Sequence, residues 1–220
     1  MKLTLDKKHA NRIVVIANDT SSSFANVVRR YGMSRVPVMA IEGVTFYDNS
    51  SAFWDEYLAH RLGLVPLLTP ENTQADTEVT FSLDAQGPKI VHSSDLVSSD
   101  KEIVVAQGKI PLVTLGENQH LRFECKAIVG TAVTHAKFQA GLISYGIEND
   151  SVRFLFESFF QMEPTDLVSR TCDLILDDLE NIEAVLGKKS AKKAKAEKKE
   201  KPVKVAKPKK EKKPKKEKEE

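Results

Sequence analysis

The last 34 residues of the chain restrict where a folded core can form. Beyond Gly187 the sequence contains only Lys, Ala, Glu, Pro and Val, apart from Ser190. With no aromatic residue and many charges, this segment cannot bury enough surface to offset the entropy lost on ordering. We therefore predict a disordered Lys-rich tail over residues 187–220 and a folded body over residues 1–186, a length that suits one or two domains.

Charge divides the chain at the same place. The tail holds 17 Lys and 6 Glu, a net charge of +11. The whole chain has 33 basic and 31 acidic residues, which leaves 16 basic and 25 acidic residues, a net charge of −9, for residues 1–186. An acidic body argues against a large nucleic-acid-binding face on the body itself. Weak, sequence-independent contact between the tail lysines and nucleic acid stays open beside simple solvation.

Composition also excludes several classes of protein. Cys125 and Cys172 are the only cysteines, too few for a four-ligand zinc or iron–sulfur site and too far apart for a CxxC pair. We expect no metal, no cofactor and a reducing, cytoplasmic location. No run approaches the roughly 18 apolar residues of a membrane span, so we expect no membrane contact and no secretion signal.

The pattern of the first 32 residues predicts a β-hairpin followed by a short helix. Leu3 and Leu5 alternate with polar residues, and a β-branched run follows at residues 12–16. Residues 20–23 then offer Thr and Ser as helix caps, and Gly32 offers a stop. The predicted apolar face of this helix consists of Phe24, Val27, Val28 and Tyr31.

Residues 36–63 predict one or two strands and a second helix. The strands are expected over residues 36–47, and the helix from about Asn49 to Gly63. The apolar side chains of this helix cover a wide stripe, from which we predict that it is largely buried. They are Phe53, Trp54, Tyr57, Leu58 and Leu62.

From Thr69 to about residue 140, short β-like runs alternate with Gly, Pro, Ser and Asp clusters, which predicts a β-rich module. A hairpin is expected around residues 148–150, and a long helix capped by Thr165 follows. Apolar residues recur along this helix at steps of four and three, either as internal core or as a surplus face that needs a partner. They are Val168, Cys172, Ile175, Leu179, Ile182 and Leu186. Cys172 is predicted to be a buried small hydrophobe.

Five segments stand out along the chain: FANVVRR (24–30), VPVMAIEGV (36–44), NSS (49–51) followed by DEYLAHRLGLVPL (55–67), HAKFQ (135–139) and FLFES (154–158). In this order they resemble a family of RNA polymerase subunits that includes bacterial alpha, archaeal D and the third-largest subunit of eukaryotic polymerase II. The run at 55–67 is the most specific. The matches span most of residues 20–186.

The resemblance implies an α+β fold. A two-part dimerisation domain, a small sheet plus two main helices, would comprise residues 1–68 and 141–186. A β-rich insert domain at residues 69–140 would interrupt it. Many archaeal members carry a cysteine-ligated iron–sulfur insert, which two isolated cysteines cannot support. The Lys-rich tail is not part of the family pattern.

The resemblance also implies a non-catalytic assembly subunit, with no catalytic residue, that joins a nucleotidyltransferase. It would form a heterodimer with a small partner, subunit L, as the platform for the large catalytic subunits. The implied contacts with subunit L are Phe24, Val27, Val28, Tyr31, Val168, Cys172, Ile175, Leu179 and Ile182. The implied contacts with large subunits are Arg29, Arg30, His60, Arg61, His135 and Lys137.

Other interpretations remain open from the residues alone. The arginines at 29 and 30 suit simple solvation of a helix face, and His60 and Arg61 suit a structural role. No GxSxG, HExxH or phosphate-binding glycine loop accompanies them. A free nucleic-acid-binding protein acting through its tail is the alternative function. A hydrolase would need a paired nucleophile and base that the sequence does not place.

Overall fold

The computed structural model describes residues 2–148 and 151–186, so the prediction for residues 187–220 lies outside the described residues. The fold is mixed α+β. Its strands are β1 (Lys2–Lys8), β2 (Arg12–Asn18), β3 (Val38–Asn49), β4 (Glu78–Gln86), β5 (Lys89–His92), β6 (Val97–Ser98), β7 (Pro111–Leu115), β8 (His120–Gly130), β9 (Gly141–Glu148) and β10 (Ser151–Ser158). Its helices are α1 (Ser22–Ser34), α2 (Asp55–Gly63) and α3 (Pro164–Val185).

The chain divides into two compact units, Met1–Asp178 and Leu179–Glu220. Of the second unit the structure describes only residues 179–186, which are the last residues of α3 and Leu186. The three sheets and the first two helices all belong to the first unit.

The first sheet joins the beginning of the chain to the strands just before α3. Its strand order is β1-β2-β10-β9, and all three pairings are antiparallel. The predicted hairpins at both ends of this sheet are confirmed. Val152, Phe154 and Phe156 are buried because alternate residues of β10 point to the same face, which forms a core with Ile13, Ala17 and Val28.

The second sheet has the strand order β3-β8-β4-β6. Strand β8 pairs with β4 on one side and with β3 on the other, where the pairing runs from Val38↔Gly130 to Asn49↔Leu121 with register shifts between Ile41 and Gly43 and between Phe46 and Asp48. Residues of β3 therefore share a sheet with strands from the β-rich part of the sequence. Strands β5 and β7 form a separate two-stranded ribbon. Phe81, Phe123 and Leu115 are among the buried side chains of the core that this sheet and ribbon share.

Helix α2 differs from its prediction in two respects. It begins at Asp55 instead of near Asn49, because Asn49 and Ser51 are engaged in a local turn: Asn49 Oδ1 accepts from Ser51 N at 3.1 Å, and Ser51 Oγ accepts from Phe53 N at 3.3 Å. The predicted burial is also wrong for all three aromatic residues of the predicted helix, since Phe53, Trp54 and Tyr57 are 43%, 82% and 47% exposed. Of the three, only Tyr57 lies within the observed helix. Within the helix, Leu58 and Leu62 face the core and Tyr57 faces outward.

Candidate interaction surfaces

Helix α1 packs with one stripe and leaves the neighbouring stripe open. Ser21 caps it, accepting a hydrogen bond at Oγ from Phe24 N at 3.2 Å. Ala25, Val28 and Gly32 face the core and are buried. Phe24 and Val27, one position before Ala25 and Val28, are 40% and 38% exposed. The buried stripe of α1 thus runs through Ala25, Val28 and Gly32, so Val28 belongs to the core. Phe24 and Val27 of the predicted face lie beside this stripe and remain exposed.

Polar groups fasten α1 to α3 beside this open stripe. Tyr31 Oη donates to Asp178 Oδ2 at 2.7 Å, and Arg35 Nη1 donates to the same oxygen at 3.1 Å. The hydrogen bond to Asp178 raises the pKa of Tyr31 above its usual value. The Arg35 guanidinium also lies 5.2 Å from the centre of the Tyr31 ring. Close packing of the two helices is possible because Gly32 has no side chain between α1 and Thr171.

Helix α3 divides its predicted seam between the inside and the outside. Leu167 and Thr171 are buried, and Val168 and Ile175 are half-buried against the core that contains Val28. Cys172 is exposed, so its predicted burial is wrong: the inward stripe runs through Thr171 instead. Although its residue surface is accessible, partial desolvation of the thiol, aided by the Asp173 carboxylate, raises the pKa of Cys172.

The described part of the second unit exposes several apolar side chains. Leu179 and Ile182 are 53% and 55% exposed, and Val185 and Leu186 are more exposed still. In the first unit, Leu176 on α3 is 51% exposed. The seam predicted from the sequence passes through Ile175 and omits Leu176, although Leu176 lies four residues after Cys172 and three before Leu179.

The two arginines of α1 have different surroundings. Arg29 is half-buried, and its Nε and Nη2 donate to Asn26 Oδ1 at 3.2 and 2.9 Å. Arg30 is exposed. The Nε and Nη2 groups of Arg29 are therefore engaged within the helix, whereas the exposed guanidinium of Arg30 is available to an acidic partner.

The predicted contact residues of α2 lie at its last turn. His60 is exposed. The side chain of Arg61 crosses to β7, where Nη2 donates to the Pro111 carbonyl at 2.5 Å, and its guanidinium lies 5.9 Å from the Tyr57 ring centre. Arg61 Nε is buried without a hydrogen-bond partner in the described chain. An unmade hydrogen bond of this kind costs about 1–3 kcal/mol.

Lys137 serves the internal structure. Its side chain is only 12% exposed, and Nζ donates to the Ile41 carbonyl at 3.0 Å and pairs with Glu42. His135 is exposed, and its Nδ1 accepts a hydrogen bond from Lys137 N at 3.1 Å. The structure thus leaves Arg30, His60 and His135 accessible, while Arg29 and Lys137 bind their own chain.

The described residues contain neither a cluster suited to a metal ion nor a membrane-spanning helix. Among residues 2–148 and 151–186, no group of three or more His, Cys, Asp or Glu side chains is placed to hold a metal ion. Within the same residues, no helix is long and apolar enough to cross a membrane.

Sequence comparisons connect this geometry to known proteins. The chain is 38% identical over 183 residues to DNA-directed RNA polymerase subunit Rpo3 of Methanocaldococcus jannaschii, a match that covers 81% of this chain and 94% of the relative. The chain belongs to the Rpo3 family. Within the family it is 40% identical over 146 residues to Rpo3 of Thermococcus kodakarensis and 42% identical over 127 residues to Rpo3 of Halobacterium salinarum.

Members of the Rpo3 family differ in length. The matched residues cover 56% of the Thermococcus kodakarensis relative and 51% of the Halobacterium salinarum relative, so the chain spans about half the length of these two proteins. The family described as the RNA polymerase Rpb3/RpoA insert domain matches residues 40–147. Members of the Rpo3 family are named as subunits of DNA-directed RNA polymerase. Membership of this family supports association of the chain with other polymerase subunits.

Proposed function

We propose that the chain is a non-catalytic assembly subunit of DNA-directed RNA polymerase, which binds the small subunit L through α1 and α3 and carries the large catalytic subunits on other surfaces. The observation that carries the proposal is the open apolar stripe of α1, which the chain's own core leaves uncovered. Nucleotidyl transfer belongs to the assembled enzyme, and the chain contributes no active site to it. The assembly would act in the cytoplasm.

The proposed subunit L interface combines exposed contacts with internal support. In the first unit, the accessible predicted contacts are Phe24, Val27 and Cys172, together with the half-buried Tyr31. In the second unit, they are Leu179 and Ile182. Completing the burial of Phe24 and Val27 would stabilise a complex by about 1 kcal/mol each. The remaining predicted contacts pack in the core of the first unit and support α1 and α3; they are Val28, Val168 and Ile175.

The domain layout and the large-subunit contacts extend the same proposal. Residues 1–68 and 141–186 would form the dimerisation domain around the insert at 69–140. Arg30, His60 and His135 would contact large subunits directly, since each is exposed. Arg29, Arg61 and Lys137 would shape those surfaces, because their side chains already bind the chain itself.

We propose that the subunit works without an iron–sulfur cluster. A thiol binds a metal as its thiolate. Burial in β8 raises the pKa of Cys125 to about 12, which disfavours that form. Cys172 lies on α3, so the two thiols belong to different elements. The alternative of a free nucleic-acid-binding protein is not favoured, because the relatives are named as polymerase subunits.

The test uses charge on the open stripe of α1. We expect Phe24→Asp combined with Val27→Asp to abolish complex formation with co-expressed subunit L, because a desolvated carboxylate opposes burial. Size-exclusion chromatography with light scattering measures the mass of the complex. Ser23→Asp, an exposed residue on the same helix, is the matched control and should retain the complex.

Thermal unfolding of the isolated variants shows whether each one still folds. A folded double variant that binds subunit L as tightly as the Ser23→Asp control would refute the proposed interface. A wild-type chain that remains a monomer in the presence of subunit L would refute the assembly role.

A further inference from the structure

The exposed face of the second sheet carries charged side chains in a row across three strands. Arg122 of β8 is opposite Asp48 of β3 on one side and Asp84 of β4 on the other. His120 lies two residues before Arg122 and on the same face, because alternate residues of a strand point the same way. We call Asp48, Asp84, His120 and Arg122 the charge row.

The ring of His120 bridges the two aspartates. Its Nδ1 lies 2.9 Å from Asp48 Oδ2, and its Nε2 lies 2.7 Å from Asp84 Oδ1. An ionised carboxylate only accepts hydrogen bonds, so each ring nitrogen needs a proton to donate. The geometry therefore fits the imidazolium form, and the hydrogen bonds to Asp48 and then to Asp84 raise the pKa of His120. Because the side chain is 34% exposed, its protons can exchange with the solvent.

The main chain of His120 is held whatever the charge of its ring. Its N–H donates to Ser50 Oγ at 2.7 Å, and its carbonyl accepts from Ser50 N at 3.0 Å. On the other side, His120 is paired with Gln86 of β4 in the sheet. Loss of a proton from the ring is therefore answered by movement of the surrounding side chains and not of the strand.

The two aspartates differ in their access to a second cation. Asp84 Oδ2 lies 4.0 Å from Arg122 Nε, so this carboxylate already lies between His120 and Arg122. In the part of the chain that the structure describes, no lysine or arginine nitrogen lies within 4.0 Å of the Asp48 carboxylate. Asp84 can thus exchange His120 for Arg122, whereas Asp48 depends on His120.

We propose that the charge row is a pH-dependent switch with two arrangements. In the protonated arrangement, the His120 imidazolium joins Asp48 to Asp84. Arg122 then lies beside Tyr47, with its guanidinium 5.5 Å from the ring centre. On deprotonation, Nε2 releases its proton to the solvent, Nδ1–H continues to donate to Asp48, and the Asp84 carboxylate turns to the Arg122 guanidinium.

The switch changes the charge of the surface and keeps the strands joined. Two carboxylates and two cations cancel in the protonated arrangement, so loss of one proton leaves the row with a net charge of −1. One hydrogen bond between β8 and β4 is exchanged for an ion pair between the same two strands. The exposed sheet face therefore becomes more acidic as pH rises, without any change in strand pairing.

Neighbouring ionisable groups on the described chain have partners of their own. The pairs are Tyr47 with Glu124 at 3.0 Å, Asn49 with Asp55 at 2.6 Å and Lys126 with Glu78 at 2.7 Å. Lys126 is six residues beyond His120 on β8, which is about 20 Å at roughly 3.3 Å per residue. This separation exceeds the screening length of about 8 Å at physiological ionic strength. The titration of His120 is therefore coupled mainly to the charge row.

Nuclear magnetic resonance of the full chain, labelled with ¹⁵N, tests the switch. Two-bond nitrogen–proton correlations show which ring nitrogen carries a proton, and the spectrum of His120→Gln identifies the signals of His120 among the five histidines. We expect both nitrogens to be protonated below the titration midpoint and Nδ1–H to be the main neutral tautomer above it. The Arg122 Nε–H signal should shift with the same midpoint, because this group then donates to Asp84.

Two substitutions on β8 separate the switch from a general effect of charge. Arg122→Gln removes the second cation of Asp84, which then competes with Asp48 for the remaining proton. We expect the midpoint of His120 to rise and its neutral ring to become a mixture of both tautomers. Lys126→Gln makes the same change of charge on the same face and should leave the midpoint and the tautomer unchanged. Thermal unfolding shows whether each variant folds.

The tautomer of the neutral ring decides the outcome. A wild-type ring protonated mainly at Nε2 above the midpoint would overturn the switch, since Asp84 would then keep its hydrogen bond. An Arg122 signal that does not titrate with His120 would do the same. So would a folded Arg122→Gln variant whose neutral His120 keeps the Nδ1–H tautomer, because Asp84 would then have no need of Arg122.

Discussion

Gly32 is a single position on which the packing of α1 depends. A methyl group there would overlap Ile143 Cδ1 and approach Thr171 Oγ1 to 2.7 Å. We expect Gly32→Ala to lower the free energy of unfolding by about 1–3 kcal/mol, because overpacking outweighs the better helix propensity of alanine. Denaturant unfolding measures the change. Gly146→Ala is the control, since an added methyl there meets nothing within 4 Å. Equal stability of both variants would contradict this packing.

His120 couples stability to pH. Its Nδ1 lies 2.9 Å from Asp48 Oδ2 and its Nε2 lies 2.7 Å from Asp84 Oδ1. The hydrogen bond to Asp48, followed by that to Asp84, raises the pKa of His120. Because the folded pKa lies above the unfolded value of about 6.5, the stabilisation is complete below that value. It is lost as pH rises through the folded pKa.

The predicted pH dependence is testable with one substitution. We expect the unfolding free energy of the wild type to fall as pH rises from below about 6.5 through the raised pKa of His120. His120→Gln should flatten this part of the profile, since glutamine carries no titrating charge. Denaturant unfolding at a series of pH values provides the measurement, and identical slopes for both proteins would show that the His120 pair contributes nothing.

Two leucines at the end of α2, one buried and one exposed, should respond differently to the same change. Leu62 is 2% exposed and Leu64 is 57% exposed. We expect Leu62→Ala to cost about 2–5 kcal/mol of unfolding free energy, because it leaves a cavity in the core. Leu64→Ala should stay within about 0.5 kcal/mol, as surface substitutions usually do. Chemical denaturation of the isolated chain distinguishes them, and a large loss for Leu64→Ala would mean that Leu64 belongs to the core.

Periodicity predicts that a helix exists more reliably than it predicts which stripe is buried. The spacing predicted α1 and α3, and the alternation predicted both hairpins. On α1, however, the inward stripe passes through Ala25 and Gly32, small residues that a search for apolar bulk overlooks. At α2, apolar residues occur both on the buried side and on the exposed side, so burial depends on where β3 and β7 lie in space. Local sequence patterns do not specify the positions of β3 and β7 relative to α2.

In the first unit, distant parts of the sequence depend on each other. Strand β2 pairs with β10 from Ser151↔Asn18 to Glu157↔Arg12, so the sheet beneath α1 closes only when residues near both ends have met. The Arg12–Glu157 ion pair, 2.9 Å long, lies at the end of this pairing. Family resemblance made this arrangement an expectation, whereas the local pattern predicted only separate hairpins. The sheet beneath the proposed subunit L face is therefore a product of long-range pairing.

The charge division of the whole chain gives a last prediction. Deleting residues 187–220 changes the formal net charge from +2 to −9. We expect the truncated chain to keep its thermal unfolding midpoint and to co-purify with subunit L, because the proposed contacts lie before residue 187. Any retention on immobilised DNA at low salt should disappear, since such retention depends on lysine–phosphate contacts and weakens steeply with salt. A tail of the same length with its lysines replaced by glutamine controls for chain length. Loss of subunit L from the truncated chain, but not from the glutamine-tailed control, would show that the tail itself takes part in assembly.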